Sequence, residues 1–512
     1  MKKRFSSLLA ALMLLCAYGT YAQTDLYNVK KYGAKGDNIA FDTEAINKAV
    51  EIAAAAGGGT VYFPAGNYLT GSIRLKSNIT LYIDQGATLI AADPVKEAGY
   101  DLPEKKTDFL YEDFGHRHWH NSLIWGENIH DVSIIGQGTI WGKGLERTNT
   151  IDKMNDETNP KPNKTIALYQ CRNINIKDIS ILHGGWFALL ATAADNLTVD
   201  NVKMDTNRDG MDIDCCQNVH ISNCSVNSPY DDGICLKSSY GLNTARATEN
   251  VTITNCQVSG FDEGSFLDGT YKRTVKYNGG PTGRIKFGTE SNGGYKNIAI
   301  SNCTFVYCRG LALESVDGAL MEDISITNIT MRDIVNAPLF VRLGARMRGP
   351  ANAAIGTAKR ILISNVMAYN VDGTQAAIIA GLPGNEIQDL TLDNIHIYFN
   401  GGGTKEQAST VVPDQTKLYP EPKNFGVTPS YGFYISQVKD LKMSNIETCF
   451  LSNDFRPAYY LEQVDGSDFQ HIRSQLGAGA ATFMLNKVKN FSVSNTGQLP
   501  NTKLAEADGK VL

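Results

Sequence analysis

Asn196-Leu197-Thr198-Val199-Asp200-Asn201-Val202-Lys203-Met204 decides the fold. Apolar and polar residues alternate on either side of a central Asp-Asn, which is the period of a β-strand. The pattern is Asn or Asp, apolar, any, apolar, any, Asn or Asp, apolar, any, apolar. It recurs at Asn173 to Ile181, Asn218 to Val226, Asn250 to Val258, Asn297 to Phe305, Asp323 to Met331 and Asp389 to Ile397. Looser copies start at Arg360, Asp440 and Asn490. A short base period broken by insertions marks a solenoid whose coils carry loops. The strands are too short for hairpins and have no helices between them, so the pattern predicts a parallel β-helix rather than βαβ units.

Asn201, Asn223, Asn255, Asn302, Asn328, Asn365, Asn394 and Asn445 hold the sixth position of the repeat. Asparagine tolerates left-handed backbone angles, and stacked copies can bond to one another, so a ladder at a tight turn is expected there. Cys224, Cys256 and Cys303 follow and read as small apolar residues stacked inside the coil. The ten cysteines leave a bridge open at Cys215-Cys216 or at Cys303 with Cys308, but no spacing compels one. Asp42 is the expected N-cap of a helix running through Ala56, ended by Gly57 to Gly59 before a return to strand at Thr60. That helix would cover the open end of the solenoid, which otherwise exposes unpaired backbone groups.

The chain of 512 residues, 42% hydrophobic, is long enough to bury an extended core as one domain. Lys2, Lys3 and Arg4 precede an apolar run from Leu8 to Ala17 and then Thr20-Tyr21-Ala22. This is the layout of a secretory signal peptide spanning 1–22, with cleavage after Ala22 and a mature domain over 23–512. A lipoprotein site at Cys16 is the weaker reading, because Leu15 directly precedes it. A periplasmic or secreted protein is expected, with no further membrane span. Removing three basic residues and no acids takes the net charge from −5 to −8, a balance that argues against nucleic acid as a partner.

The chemistry lies in Asn207-Arg208-Asp209-Gly210-Met211-Asp212 and Pro229-Tyr230-Asp231-Asp232-Gly233. Asp209 and Asp231 are 22 residues apart, one local period, so residues on successive coils would stack at the inter-strand spacing of about 4.8 Å. Converging carboxylates separate their proton affinities by repulsion and burial. Glycoside hydrolysis needs such a pair: an acid for the leaving oxygen and a carboxylate for water or the sugar.

Tyr32-Gly33-Ala34-Lys35-Gly36-Asp37, the segment Gly57 to Gly66, the coils and the acidic triplet together resemble the family-28 glycoside hydrolases, the polygalacturonases and rhamnogalacturonases. The resemblance covers essentially the whole mature chain. It implies an all-β, single-stranded right-handed parallel β-helix with an N-terminal capping helix, and metal-free, cofactor-free hydrolysis of a pectic polysaccharide or oligosaccharide with inversion. Asp231 matches the general acid, and Asp209 and Asp232 match the residues that hold and activate water. Lys237 matches a lysine after the Asp-Asp strand. Arg208 replaces the threonine of the family's Asn-Thr-Asp motif. The Gly-His-Gly motif has no counterpart in Gly279 to Gly288, and an Arg-Ile-Lys tripeptide is replaced by Ala312-Leu313-Glu314. Losing those cations disfavours a carboxylate at that subsite.

Further candidates for substrate contact are Asp212, His183, Arg284, Lys286 and Glu314, with Glu290 and Asp262-Glu263 behind them. Asp214 reads as a structural acid. His116, His118 and His120 alternate and leave two readings open, a zinc site or a cleft wall beside Phe109, Tyr111, Phe114 and Trp119. Trp186 reads either as a sugar-stacking platform or as core. Insertions at Phe261 to Asn292, Ala337 to Ala358 and Gly401 to Tyr431 are expected to shape the site and favour attack on chain ends by a monomeric enzyme. An eliminase using calcium and an arginine base, or a noncatalytic carbohydrate-binding β-helix, are the competing readings.

Overall fold

The structure, a computed structural model, describes residues 26–94, 96, 99–105, 110, 116, 118–147, 161–274, 276, 279–413 and 415–512. The expected signal peptide, Cys16 and the aromatic residues 109, 111 and 114 lie outside them. All described strands join one hydrogen-bonded sheet of 37 strands wound into coils. Each full coil contributes three parallel walls. One coil runs through Arg172–Lys177, Ser180–Leu182 and Phe187–Thr192, and the next through Asp195–Asp200, Lys203–Asp205 and Asp209–Asp214. In the first wall Ile174, Leu197, Val219, Val251 and Ile298 pair in register. In the third wall Leu189, Met211, Ile234 and Ile285 do the same, all fully buried. The pleat sends these side chains inward, and stacking makes one continuous apolar core.

The corners are turned by single left-handed residues. Sixth-position asparagines adopt φ of 52–57° as expected. Their ladder is broken, however: Asn201 donates to Asp178 (2.7 Å), Asn223 to Asp200 (2.8 Å), Asn365 to Thr327 (3.0 Å) and Asn445 to Asp393 (2.9 Å), while Asn255, Asn328 and Asn394 donate to the asparagine before them. The continuous ladder stands instead at the repeat's first position. There Asn297 donates to Asn250, Asn250 to Asn218, Asn218 to Asn196, Asn196 to Asn173 and Asn173 to Asp131, over 2.8–3.3 Å. Asn223→Ala is expected to cost about 1–2 kcal/mol, because it removes those bonds and leaves a Cβ residue in the left-handed region. Asn223→Gly should recover the backbone part. Urea midpoints for the two variants check this; equal midpoints would remove the strain argument.

Helix Thr43–Ala55 buries Ile46, Ala49, Val50 and Ala53 against the amino-terminal end of the core. Asp42 sits at its N-cap but does not cap it. Its carboxylate accepts from the backbone N–H groups of Lys35 (2.7 Å) and Gly36 (3.0 Å), tying the preceding turn to the helix. The opposite end is closed by antiparallel pairing of Thr502–Ala507 with Val488–Ser494. The nine described cysteines are free thiols. Two of the expected insertions are shorter than read: Ile285–Ser291 and Leu339–Leu343 are strands of the third wall. No helix among the described residues is long and apolar enough to cross a membrane.

Candidate active site

Three acids meet on the outer face of the third wall. Asp209 opens the strand Asp209–Asp214, and Asp231 and Asp232 lie in the turn entering Ile234–Ser238. The register corrects the 22-residue stacking: Met211 pairs with Ile234 and Asp212 with Cys235, an offset of 23. Carried back two residues, this sets Asp209 beside Asp232, with Asp231 one step outside the ladder. One oxygen from each acid lies within 4.8 Å of the others. They line a cavity of about 310 Å³ together with His116, Trp186, Arg208, Lys237, Glu290 and Tyr419.

The three carboxyl groups occupy different electrostatic settings. Asp209 is 4% exposed, and its Oδ1 has no hydrogen-bond partner. Burial, with repulsion from Asp212 and Asp231, raises its pKa well above the usual carboxylate range. Asp232 is equally buried, but Arg284 Nε donates to its Oδ1 (2.8 Å) and Lys286 Nζ lies 3.2 Å from its Oδ2. Those cations outweigh the burial penalty and hold Asp232 at about 2. Asp231 is the most open of the three; its Oδ2 accepts from Arg208 Nη2. The Arg208 guanidinium in turn sits 3.8 Å from the centre of the Trp186 ring. Like groups with proton affinities driven apart are what acid–base chemistry at one site requires.

A second tier stands beside them. Lys237 Nζ donates to Glu290 Oε2 (2.9 Å) and lies 3.4 Å from Asp212 Oδ2. His116 is fully buried, with Nε2 3.4 Å from Asp212 and Nδ1 3.2 Å from Asp214. Burial lifts Asp212 to about 6. For Asp214 the burial penalty is outweighed by His116 and by donation from Ser239 N and Oγ (2.7 and 2.6 Å), which lower it. The segment 415–432 folds back over the cavity. Its Tyr419 hydroxyl accepts from Lys286 Nζ (3.3 Å) and Thr289 Oγ1 (3.2 Å). Glu421 accepts from Arg284 Nη2 (2.9 Å) and Arg309 Nη1 (3.0 Å), which staples the loop to the site.

Arg284 and Lys286 are nearly inaccessible, and both direct their charge at Asp232. Glu314 is fully buried behind them, 3.5 Å from Lys286 and 3.8 Å from Arg284, and burial pushes it up to about 7. Ala312 pairs directly with Lys286, so a lysine of the preceding coil stands next to the place where a cation is missing. His183 is not with the acids. It accepts from Arg147 and lies 3.8 Å from Glu263, beside a neighbouring cleft of about 620 Å³ bordered by Arg147, Asn207, Tyr230 and Glu263. The three alternating histidines diverge: His120 bonds Glu104 (2.6 Å), His118 lies 3.9 Å from that residue, and only His116 reaches the cavity. His116, Tyr419 and Glu421 carry no motif that marks them in the sequence.

A parallel β-helix bearing a clustered carboxylate site on one wall is the class that fold and site define, and comparison with known proteins narrows it. Residues 26–106 match the family model described as rhamnogalacturonase A/epimerase, pectate lyase-like, and residues 121–278 match that of the right-handed β-helix region. A probable polygalacturonase of Vitis vinifera is 26% identical over 387 residues, covering 72% of this chain and 73% of that protein. An exo-poly-alpha-D-galacturonosidase of Dickeya chrysanthemi is 27% identical over 262 residues, 42% of each chain. Among solved structures, a family 28 exopolygalacturonase of Yersinia enterocolitica superposes with a TM-score of 0.63 at 16% identity, over 87% of this chain and 78% of its own. The fold is the right-handed parallel β-helix, and these likenesses support a glycoside hydrolase similar to those of family 28.

Proposed function

We propose that the protein is a secreted hydrolase of galacturonosyl or rhamnogalacturonan linkages in pectic material, acting at chain ends with inversion through its single domain at 23–512. The observation that carries this reading is the convergence of Asp209, Asp231 and Asp232 on one cavity in three unlike electrostatic settings. Asp231, the most open, serves as general acid. Asp209 and Asp232, side by side on neighbouring coils, hold and activate the attacking water. Inverting enzymes usually space their carboxyl groups about 6.5–9.5 Å apart. The 4.8 Å limit here is set by one oxygen from each group and is not itself that spacing. A retaining enzyme also needs an unencumbered nucleophile, whereas Asp232 is held by two cations and Asp231 by Arg208. Inversion therefore fits better.

The folded-back segment 415–432 supports exo action, since Tyr419 lines the cavity and Glu421 ties the segment to Arg284 beside it. Secretion rests on the charged and apolar leader pattern. Product analysis on polygalacturonan, rhamnogalacturonan backbone and their oligosaccharides tests the proposal. Monosaccharide release with slowly falling viscosity is expected, and proton NMR of the first product should show the inverted anomer. An early viscosity collapse would sink exo action. Products absorbing in the ultraviolet would indicate elimination instead.

A further inference from the structure

The site contains an arginine where the family motif has threonine, and its placement assigns it a task. We propose that Arg208 reads the carboxylate of a uronate bound at the scissile linkage, and that this exchange releases Asp231 to act on the leaving oxygen. The inference rests on the hydrolase reading above and names its substrate class as an anionic sugar.

The cations around the cavity are committed unequally. Arg284 and Lys286 are buried against Asp232, and Lys237 is held between Glu290 and Asp212. Arg208 differs because its partner stands at the cavity and is itself accessible, with side chains 16% and 26% exposed for Arg208 and Asp231. Trp186 beneath the guanidinium fixes its plane, which preorganises a fork able to take a carboxylate. A substrate carboxylate arriving there competes with Asp231 for Nη2. Until it does, Asp231 Oδ2 is occupied by Arg208 and is not presented to a glycosidic oxygen.

The exchange also accounts for where the proton waits. Asp209 lies in the same cluster, and burial favours its protonated form. When Asp231 is released, one proton passes from Asp209 to Asp231 with no change in total charge. Asp209 becomes the carboxylate that, with Asp232, orients water, and Asp231 becomes the acid. A neutral or esterified sugar leaves Arg208 on Asp231 and the proton on Asp209. Arg208 thereby supplies a carboxylate-binding cation that positions 312 and 314 lack.

The test compares oligogalacturonates with their methyl esters on the mature protein and on Arg208→Gln and Arg208→Lys. Arg208→Gln is expected to lose about 100-fold or more in kcat/KM on the acids and to show no loss on the esters, where Asp231 is no longer held. Arg208→Lys should fall between, keeping charge without the fork. Equal losses on acid and ester would overturn the inference while leaving the hydrolase reading intact. Calorimetric titration with galacturonate and methyl galacturonate needs no turnover: wild type should prefer the acid and Arg208→Gln should not. A wild type that binds both equally overturns the inference. A wild type with the binding preference but no product from any pectic substrate would instead sink the hydrolase reading.

Discussion

Asp209→Asn is expected to lose about 10²–10⁴-fold in kcat while melting at a higher temperature than the wild type at pH 7. The two effects have one cause. Asp209 is almost wholly buried, its Oδ1 lacks a partner, and its pKa lies above the unfolded value of about 3.9. The folded state therefore holds a proton that the unfolded state gives up, and stability falls as pH rises from about 4 through the raised folded pKa. Asparagine has nearly the same shape and nothing to ionise, so it removes that loss along with the base. The melting advantage should shrink as the pH falls and vanish below about 4, where both forms are neutral. Thermal melts at pH 3.5 and 7 beside single-turnover rates decide the matter. An inactive variant less stable than wild type at pH 7 would show that Asp209 is charged and satisfied in the resting site.

What was legible in the chain follows from which positions repeat. The nine-residue pattern belongs to the first two walls, where one face meets water, so apolar and polar residues alternate. The third wall is covered on both sides: Phe187–Thr192 and Ile285–Ser291 are buried along their whole length. They show no alternation, and two such strands, Ile285–Ser291 and Leu339–Leu343, read as insertions. The wall that carries the chemistry is thus the least visible one. The acids were still legible because they lie on successive coils, though the stacking partner of Asp209 shifted by one when the coil lengthened from 22 to 23 residues between Asp212 and Cys235. His116 and Glu421 reach the site across 98 and 137 residues. No local period records such a contact. The broken sixth-position ladder has a similar origin, since aspartate and asparagine accept the same bond and Asp200 takes it from Asn223.

Removing the neighbouring acid should have the opposite effect on stability. Asp232→Asn is expected to abolish turnover and to cost about 3–5 kcal/mol, because Arg284 and Lys286 stay buried with one counter-charge fewer. Glu314 and Glu421 limit the damage, since both already face those cations. Glu314, pushed up to about 7 by burial, should ionise more fully once Asp232 is gone, which caps the cost. The sign of the pH dependence is again fixed by direction. The folded pKa of Asp232, at about 2, lies below its unfolded value, so its contribution is complete above about 4 and is lost as the pH falls toward 2. The gap between variant and wild type should therefore be largest near neutrality and close in acid, the reverse of the Asp209→Asn trend in sign. Adding Lys286→Met to Asp232→Asn removes the stranded ammonium and should recover part of the stability without any activity. A double variant no more stable than Asp232→Asn would mean that Arg284, or the loop it anchors through Glu421, carries the whole penalty.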